Sequence, residues 1–504
     1  GIAALSVFES NPKLCAEIIS KAVGYMPKAM VETAPDGCYP EGPSYWTYGT
    51  SYTFYIIAAM ESALGTSYGL DKIKGLKETG LYPMYIAGNA GVFNYSDSGS
   101  GYIGGSHLYW MAKKYNMPIF SWYTKTKFPV GGALGLLWYD PDFCSTPQQE
   151  KSPLDICFGG RESLATFRGS FEDTSTVFAA IKAGDNQSSH GDLDIGTFVL
   201  DAMGTRWAHD LGSETYDTPG YWSMGEGAGR WTYYGKRAEG HNTIVINPDM
   251  KPDQNVFAVD KIIDFKSEQG GGYAVVDMSN AYKNKASSIK RGLMLFDSRS
   301  RVMVQDEIEC AAESDIYWFM HTDAAIELSE DGKTAVLNKN GKQLKAQLAP
   351  MSDGKFEVLD AVPLPGSPNP KENINRKGYK KLTIHLNKAK SAVINVVFTP
   401  VYGEIVEDVP PIVPLKDWKV INTTKAQLDN IYLDGVPLEG FAKDKYRYEV
   451  ELPYGIDEIV PVSVSGEYEA EIKQADKVDG SALIKVKGDG VLKDNFYVIK
   501  FNNR

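Results

Sequence analysis

Ser189-His190-Gly191-Asp192-Leu193-Asp194-Ile195-Gly196-Thr197-Phe198 leads into TFVLDAMG (197–204), one of several short runs rich in Val, Ile, Thr and aromatic residues. The others are NTIVINPD (242–249), YAVVDMSN (273–280), RVMVQDEIE (301–309) and SAVINVVFTP (391–400), separated by Gly, Asn and Asp turns. β-Branched and aromatic side chains fit a pleated surface, and many short strands divided by turn residues predict a large antiparallel β-sandwich over 151–405.

Outward from this centre the texture changes on both sides. Towards the N-terminus, Asn11 and Pro12 read as a helix N-cap and first helical residue, and an apolar rhythm follows through Leu14, Ile18, Ala22 and Met26. Pro35, Asp36 and Gly37 break the chain. A second helix is expected from Ser44 to Leu64 with Gly65 as its stop, and a third carries His107, Tyr109 and Trp110. Helices joined by short breaks predict stacked antiparallel pairs, so residues 1–150 are expected to be the C-terminal part of an α/α toroid. The opening Gly1-Ile2-Ala3-Ala4-Leu5 reads as the tail of a helix, which places the rest of that domain before position 1. Towards the C-terminus, residues 406–418 hold prolines expected to make a stiff, extended linker, and 419–504 are compact and strand-rich. The fold class is multidomain α+β.

With 504 residues, two to four domains are expected. The net charge of −12 and the lack of clustered Lys and Arg argue against nucleic acid as a partner. A local basic cleft can still hold a polyanion. Thirty Tyr and nine Trp supply flat rings suited to sugar faces, although such rings also fill large β-cores. Cys15, Cys38, Cys144, Cys157 and Cys310 lack CxxC spacing, which speaks against a zinc–thiolate site; Cys144 and Cys157 are the one pair close enough in sequence to suggest a bridge. No run of 18 apolar residues occurs, so no membrane span is expected.

Chemistry concentrates in two places. Asp36-Gly37-Cys38-Tyr39-Pro40-Glu41-Gly42-Pro43-Ser44-Tyr45-Trp46-Thr47-Tyr48-Gly49 sets acids and aromatics beside a helix start. Tyr45, Tyr48, Tyr52 and Tyr55 share one helical face, either a packed stripe or a functional one. Tyr45 stands apart because it lies at the helix N-terminus, the positive end of the dipole. The second place is the run through His190, then Trp207-Ala208-His209-Asp210-Leu211-Gly212, then Gly240-His241-Asn242-Thr243, which holds three of the six histidines. His and Asp on adjacent strands and loops are the donors of a metal site, whereas His209 reads as structural.

DGxxxEGPxYWxYG resembles the toroid signature of heparinase II/III-like and oligoalginate lyases. HxxxDxGxF, WAxDLG and GHNT, in that order, resemble the heparinase II/III-like sandwich. Together the resemblance spans residues 1–405, and Leu433-Asp434-Gly435, Phe441, Tyr448, Leu452-Pro453 and Tyr497-Val498-Ile499 resemble a cadherin-like, Ig-like β-sandwich in 419–504. The family cleaves uronic-acid polysaccharides by β-elimination, and the resemblance implies a polysaccharide lyase acting on an anionic polysaccharide, secreted, periplasmic or at the cell surface. It implies that Tyr45 donates a proton to the leaving oxygen or serves as base, that His190 is base or carboxylate partner, and that Glu41 and Tyr48 support them. It also implies a structural divalent metal, zinc in some relatives, held by Asp210 and His241, with Asp192 where those relatives have histidine. A carboxylate-neutralising Asn or His of the family is expected before position 1, leaving this chain almost inactive alone.

The chemistry explains the residue types. A C5 hydrogen beside a uronate carboxylate is barely acidic, so the site must neutralise the carboxylate, supply a base and protonate the departing oxygen. Arg168 and the pair Arg230–Trp231 are candidates for gripping carboxylate or sulfate, or else sandwich-edge salt bridges. Two rival readings remain: a toroid glycoside hydrolase using Glu41 or Asp97 as paired carboxylates, and a non-catalytic carbohydrate-binding scaffold.

Overall fold

The computed structural model describes residues 1–503 apart from 130, 402–407, 422–424, 444 and 490–492. Three regions follow one another: helices to residue 138, two large β-sheets from 156 to 401, and a small β-unit from 426 onwards.

Asn11 caps the Pro12–Met30 helix by accepting from the Leu14 N–H, with Pro12 at the first turn. The buried face of that helix is carried by Cys15, Ile19 and Met30, while Leu14 and Ile18 are exposed. Of the expected face, Ala22 and Met26 pack against the core while Leu14 and Ile18 do not, because two adjacent rows are apolar and periodicity alone does not choose between them. The Pro43–Leu64 helix ends as expected on Gly65, in the left-handed region at φ 71°. Its Trp46, Phe54, Ile57 and Met60 are buried with Tyr82, Ile86, Leu108 and Met111 in one core. His107 opens the His107–Tyr115 helix, as expected.

A five-stranded antiparallel sheet joins the two larger regions. Its strands run Ile156–Gly159, Ser163–Arg168, Phe178–Lys182, Phe198–Ala202 and Thr205–Ala208, in that spatial order. Side chains alternate between faces along each strand. Leu164, Phe178, Ala180 and Val199 belong to the helical core, whereas Ala165, Phe167, Ala179, Ile181, Phe198 and Leu200 belong to the sandwich core. With ~1.5–3 kcal/mol for each large apolar side chain buried, the two-faced sheet holds helices and sandwich in one register.

The second sheet has eleven strands, with the 22-residue strands Arg301–Thr322 and Lys380–Val401 paired antiparallel at its centre. Its outer face carries Tyr273, Met294, Phe296 and Met303, and onto them pack Leu415 and Trp418. The Pro-rich stretch is thus docked rather than free: Trp418 Nε1 donates to the Val413 carbonyl at 3.1 Å, and Leu415 N donates to Glu307 Oε1 at 2.6 Å. Residues 406 and 407 of the expected linker lie outside the described residues.

The C-terminal unit pairs a three-stranded with a four-stranded sheet around Ile431, Tyr448, Leu452, Ile484 and Tyr497. Asp434 and Gly435, both at positive φ (48° and 77°), make the tight hairpin between Asn430–Leu433 and Val436–Pro437. All five cysteines are free, so the suggested Cys144–Cys157 bridge does not form. Among the described residues no helix is long and apolar enough to cross a membrane.

Candidate functional site

Tyr45 is the third residue of the Pro43–Leu64 helix. Gly42, the N-cap, sits at φ 87°, and a Cβ there would lie 2.7 Å from the Tyr95 carbonyl, so only glycine fits. Gly42 offers no capping side chain and Pro43 no N–H. The open Ser44 N–H is met instead by Ser98 Oγ at 3.2 Å, from the loop that carries Asp97. This foreign cap ties the Asp97 loop to the turn that presents Tyr45.

His190 comes to the same place from the sandwich side. Its backbone is in the left-handed region at φ 61°, a strained setting for a side chain other than Asn or Gly. Its ring stacks on Tyr45, centroids 3.8 Å apart and 20° from parallel. Nδ1 meets Asp97 Oδ2 at 2.8 Å, and the Tyr45 phenol meets that of Tyr216 at 2.6 Å. Burial, the Tyr45 hydrogen bond and the Asp97 charge raise the Tyr216 phenol well above its usual range, so Tyr216 keeps its proton. Trp222, 60% exposed, stands edge-on to His190 at 5.4 Å and beside Tyr216 at 5.1 Å.

Beneath these rings lies a buried ionic floor. Lys236 Nζ donates to Asp97 Oδ1 at 2.6 Å and to Asp192 Oδ1 at 2.8 Å, and the Tyr221 phenol also donates to Asp97 Oδ1. Burial opposes ionisation of Asp97, but the His190 hydrogen bond and the Lys236 charge outweigh it and hold the carboxyl well below its usual range. For Asp192 burial wins and the carboxyl is raised, against Lys236 and His241.

Of the expected metal set, Asp210 and His241 lie together, Oδ2 to Nδ1 at 3.2 Å. Asp192 is engaged by Lys236, and its other oxygen is 3.9 Å from His241 Nε2. Asp194, Asp210 and His241 instead bring one donor atom each within 4.8 Å of one another, all buried. Asp194 Oδ1 accepts from Lys182 Nζ at 2.7 Å, while its Oδ2, like Asp192 Oδ2, has no hydrogen-bond partner; the trio with Asp194 offers the mixed oxygen and nitrogen donors that suit a divalent ion. As described, His241 balances the charge itself. Burial lowers its affinity for a proton, but Asp210 at 3.2 Å and Asp192 overcome that and raise it to about 9.

Other candidates prove structural. Arg168 is buried, donating to the Leu154, Ala87 and Tyr85 carbonyls and lying over Phe171, so it ties the helical region to the sheet. Arg230 is buried as well, giving two hydrogen bonds to the Gly191 carbonyl and one to that of Tyr221. It braces the His190 turn. Trp231 is buried with Nε1 on the Gly225 carbonyl. Glu41 is half-buried and makes no hydrogen bond among the described residues; burial first and the Glu41 charge next push the Tyr39 phenol up to about 12. Tyr48 and Tyr52 are not a packed stripe: they are 66% and 59% exposed and touch edge to face at 5.2 Å. His209 Nε2 lies 3.0 Å from Asp323 Oδ1.

Tyr216, Tyr221, Trp222 and Lys236 were missed as site members. The signal for the first three was present in TYDTPGYW (215–222), a segment with two tyrosines, a tryptophan and no strand pattern, between the WAxDLG and GHNT motifs.

Residues 164–396 match the family described as "Heparinase II/III-like, C-terminal". Solved structures similar to the chain include a heparinase III gene product, at 15% identity and TM-score 0.56 over 97% of this chain and 61% of that one. The heparan sulfate lyase HepC from Pedobacter heparinus follows at 11% identity and TM-score 0.56, over 99% and 64%. A heparinase III structure matches at 14% identity and TM-score 0.54, over 99% and 66%. The chain therefore spans a little under two thirds of the length of these relatives. No curated protein sequence matches it. Residues 164–396 thus match the heparinase II/III-like C-terminal region, and the chain shares the fold of these solved structures.

Proposed function

We propose that the protein is a polysaccharide lyase acting on a uronic-acid-containing polysaccharide by β-elimination, with its helical region forming part of an α/α toroid. One observation carries the reading: a half-exposed phenol, Tyr45, stacked on the imidazole of His190 and hydrogen-bonded to the proton-retaining phenol of Tyr216. β-Elimination takes a proton from C5, shifts that electron pair into a C4=C5 bond and expels the C4 oxygen, which must be protonated. Tyr45 supplies that proton. His190 acts as base or as partner of the substrate carboxylate, and Tyr216 stabilises charge on the Tyr45 oxygen. Trp222 and Tyr48 offer exposed ring faces to sugar.

The rival hydrolase loses ground on geometry. Asp97 is buried below His190 with both oxygens occupied, so it is not presented to a glycosidic oxygen. A lyase product carries a conjugated C4=C5 bond and absorbs in the ultraviolet. Product absorbance over a panel of uronic-acid polysaccharides tests the reading; reducing ends appearing without absorbance would replace it with hydrolysis.

A divalent cation on Asp194, Asp210 and His241 would pin the GHNT turn to the WAxDLG segment, a structural service with no part in the proton transfers. Elemental analysis together with melting of His241→Ala tests it. No bound metal in well-folded protein, with melting unchanged in the variant, would remove the site.

A further inference from the structure

Asp97 lies outside every motif assigned above, yet it reaches His190 across 93 positions of sequence and a domain boundary. We propose that Asp97 is a positioning residue that locks His190 in the Nδ1–H tautomer and so dedicates its Nε2 lone pair to taking the C5 proton. The inference rests on the lyase reading and decides between the two roles that reading leaves to His190.

The argument is one of donors and acceptors. Asp97 is ionised, and a carboxylate only accepts, so the imidazole nitrogen 2.8 Å from Oδ2 must carry the proton. In the neutral ring Nε2 is then the acceptor. Oδ1 is meanwhile held by two donors, Lys236 Nζ at 2.6 Å and the Tyr221 phenol, so the carboxylate cannot rotate away. Three further restraints fix the ring: the left-handed backbone at His190, Arg230 on the adjacent Gly191 carbonyl, and Tyr45 stacked over its face. Asp97 itself is fixed through Ser98, whose hydroxyl receives the Ser44 N–H next to Tyr45. Base and proton donor are thereby set by neighbouring residues of one loop.

Asp97→Asn tests the lock with little change of shape. Because Lys236 and Tyr221 both donate towards Oδ1, the amide oxygen must take that side and its NH₂ must face Nδ1. Nδ1 then has to accept, and the ring proton moves to Nε2. The same logic makes the Asp-to-Asn change in a serine protease triad costly through the wrong tautomer. The expected results are an Nδ1–H tautomer of His190 in wild-type protein by imidazole nitrogen NMR above the histidine titration, and an Nε2–H tautomer in the variant. Turnover falls at least ~100-fold while KM stays within about threefold. In a His190→Ala background the same substitution costs nothing more, which a merely structural role would not give. An Nε2–H tautomer in wild-type protein, or turnover in Asp97→Asn within threefold of wild type, overturns the proposal. If the variant does not fold, the wild-type tautomer alone decides. A tautomer switch as expected in a protein that yields no unsaturated product refutes the lyase reading and leaves the positioning by Asp97 intact.

Discussion

The site has a rim and a floor of opposite character. Tyr45, Tyr216, Trp222, Tyr48 and Tyr52 form a partly exposed aromatic rim, while Asp97, Asp192, Asp210, Lys236, Arg230 and His241 form a floor in which every charge is buried. Rings at the rim trade little desolvation for contact with a sugar, so they are free to serve a ligand. Ions in the floor are committed to each other, because an unpartnered buried charge costs several kcal/mol. His190 belongs to both, stacked with the rim and bonded to the floor, as does Tyr221, whose ring meets Tyr216 and Trp222 and whose phenol donates to Asp97. Substitutions in the floor should therefore register chiefly as stability, with Asp97 acting on turnover as well through His190, and those at the rim as activity.

The sharpest break would come at Lys236, whose ammonium is shared by Asp97 and Asp192. Lys236→Met leaves two buried carboxylates sharing only the Arg230 guanidinium, 3.9 and 3.6 Å away, and should cost ~3–5 kcal/mol in denaturant unfolding. An unchanged unfolding midpoint would mean the floor is not charge-coupled. Next in size is Tyr45→Phe, which removes one oxygen at the rim. Turnover should drop ~100-fold, equivalent to ~2.7 kcal/mol of barrier, with thermal melting unmoved. Near-normal product absorbance from that variant would take the proton donor away from Tyr45. Trp222→Ala should raise KM by ~10-fold with little change in kcat, as loss of ground-state sugar contact does. A kcat effect instead would place Trp222 in the chemistry rather than in binding.

The smallest expected effect is a pH signature of the floor. Asp97 is held below the ordinary carboxylate value near ~3.9, so its contribution to stability is present above that value and lost as pH falls below it. Wild type should thus lose its stability advantage over Asp97→Asn progressively as pH is lowered below about 4. Parallel melting curves for the two proteins through that fall in pH would contradict an ionised Asp97.

Much of this arrangement was legible in the chain itself. The Pro43–Leu64 helix with its Gly65 stop and the strands around TFVLDAMG and YAVVDMSN follow from periodicity and capping, and Tyr45 and His190 were singled out by the resemblance of their motifs to those of lyases. These signals are local, each set by residues a few positions apart. The fate of the cations was not legible. Arg168, Arg230 and Lys236 look alike in sequence, and only burial tells that the first bonds carbonyls of the helical region, the second braces a turn and the third neutralises two acids. Nor could spacing pair Asp97 with His190, or choose Asp194 over Asp192 beside His241. Those partnerships join residues from different regions, and they exist because the five-stranded sheet buries both its faces and so brings the helical loop and the sandwich turn to one seam. Local order wrote the elements and the reactive side chains; the packing of one sheet between two cores decided which charges meet.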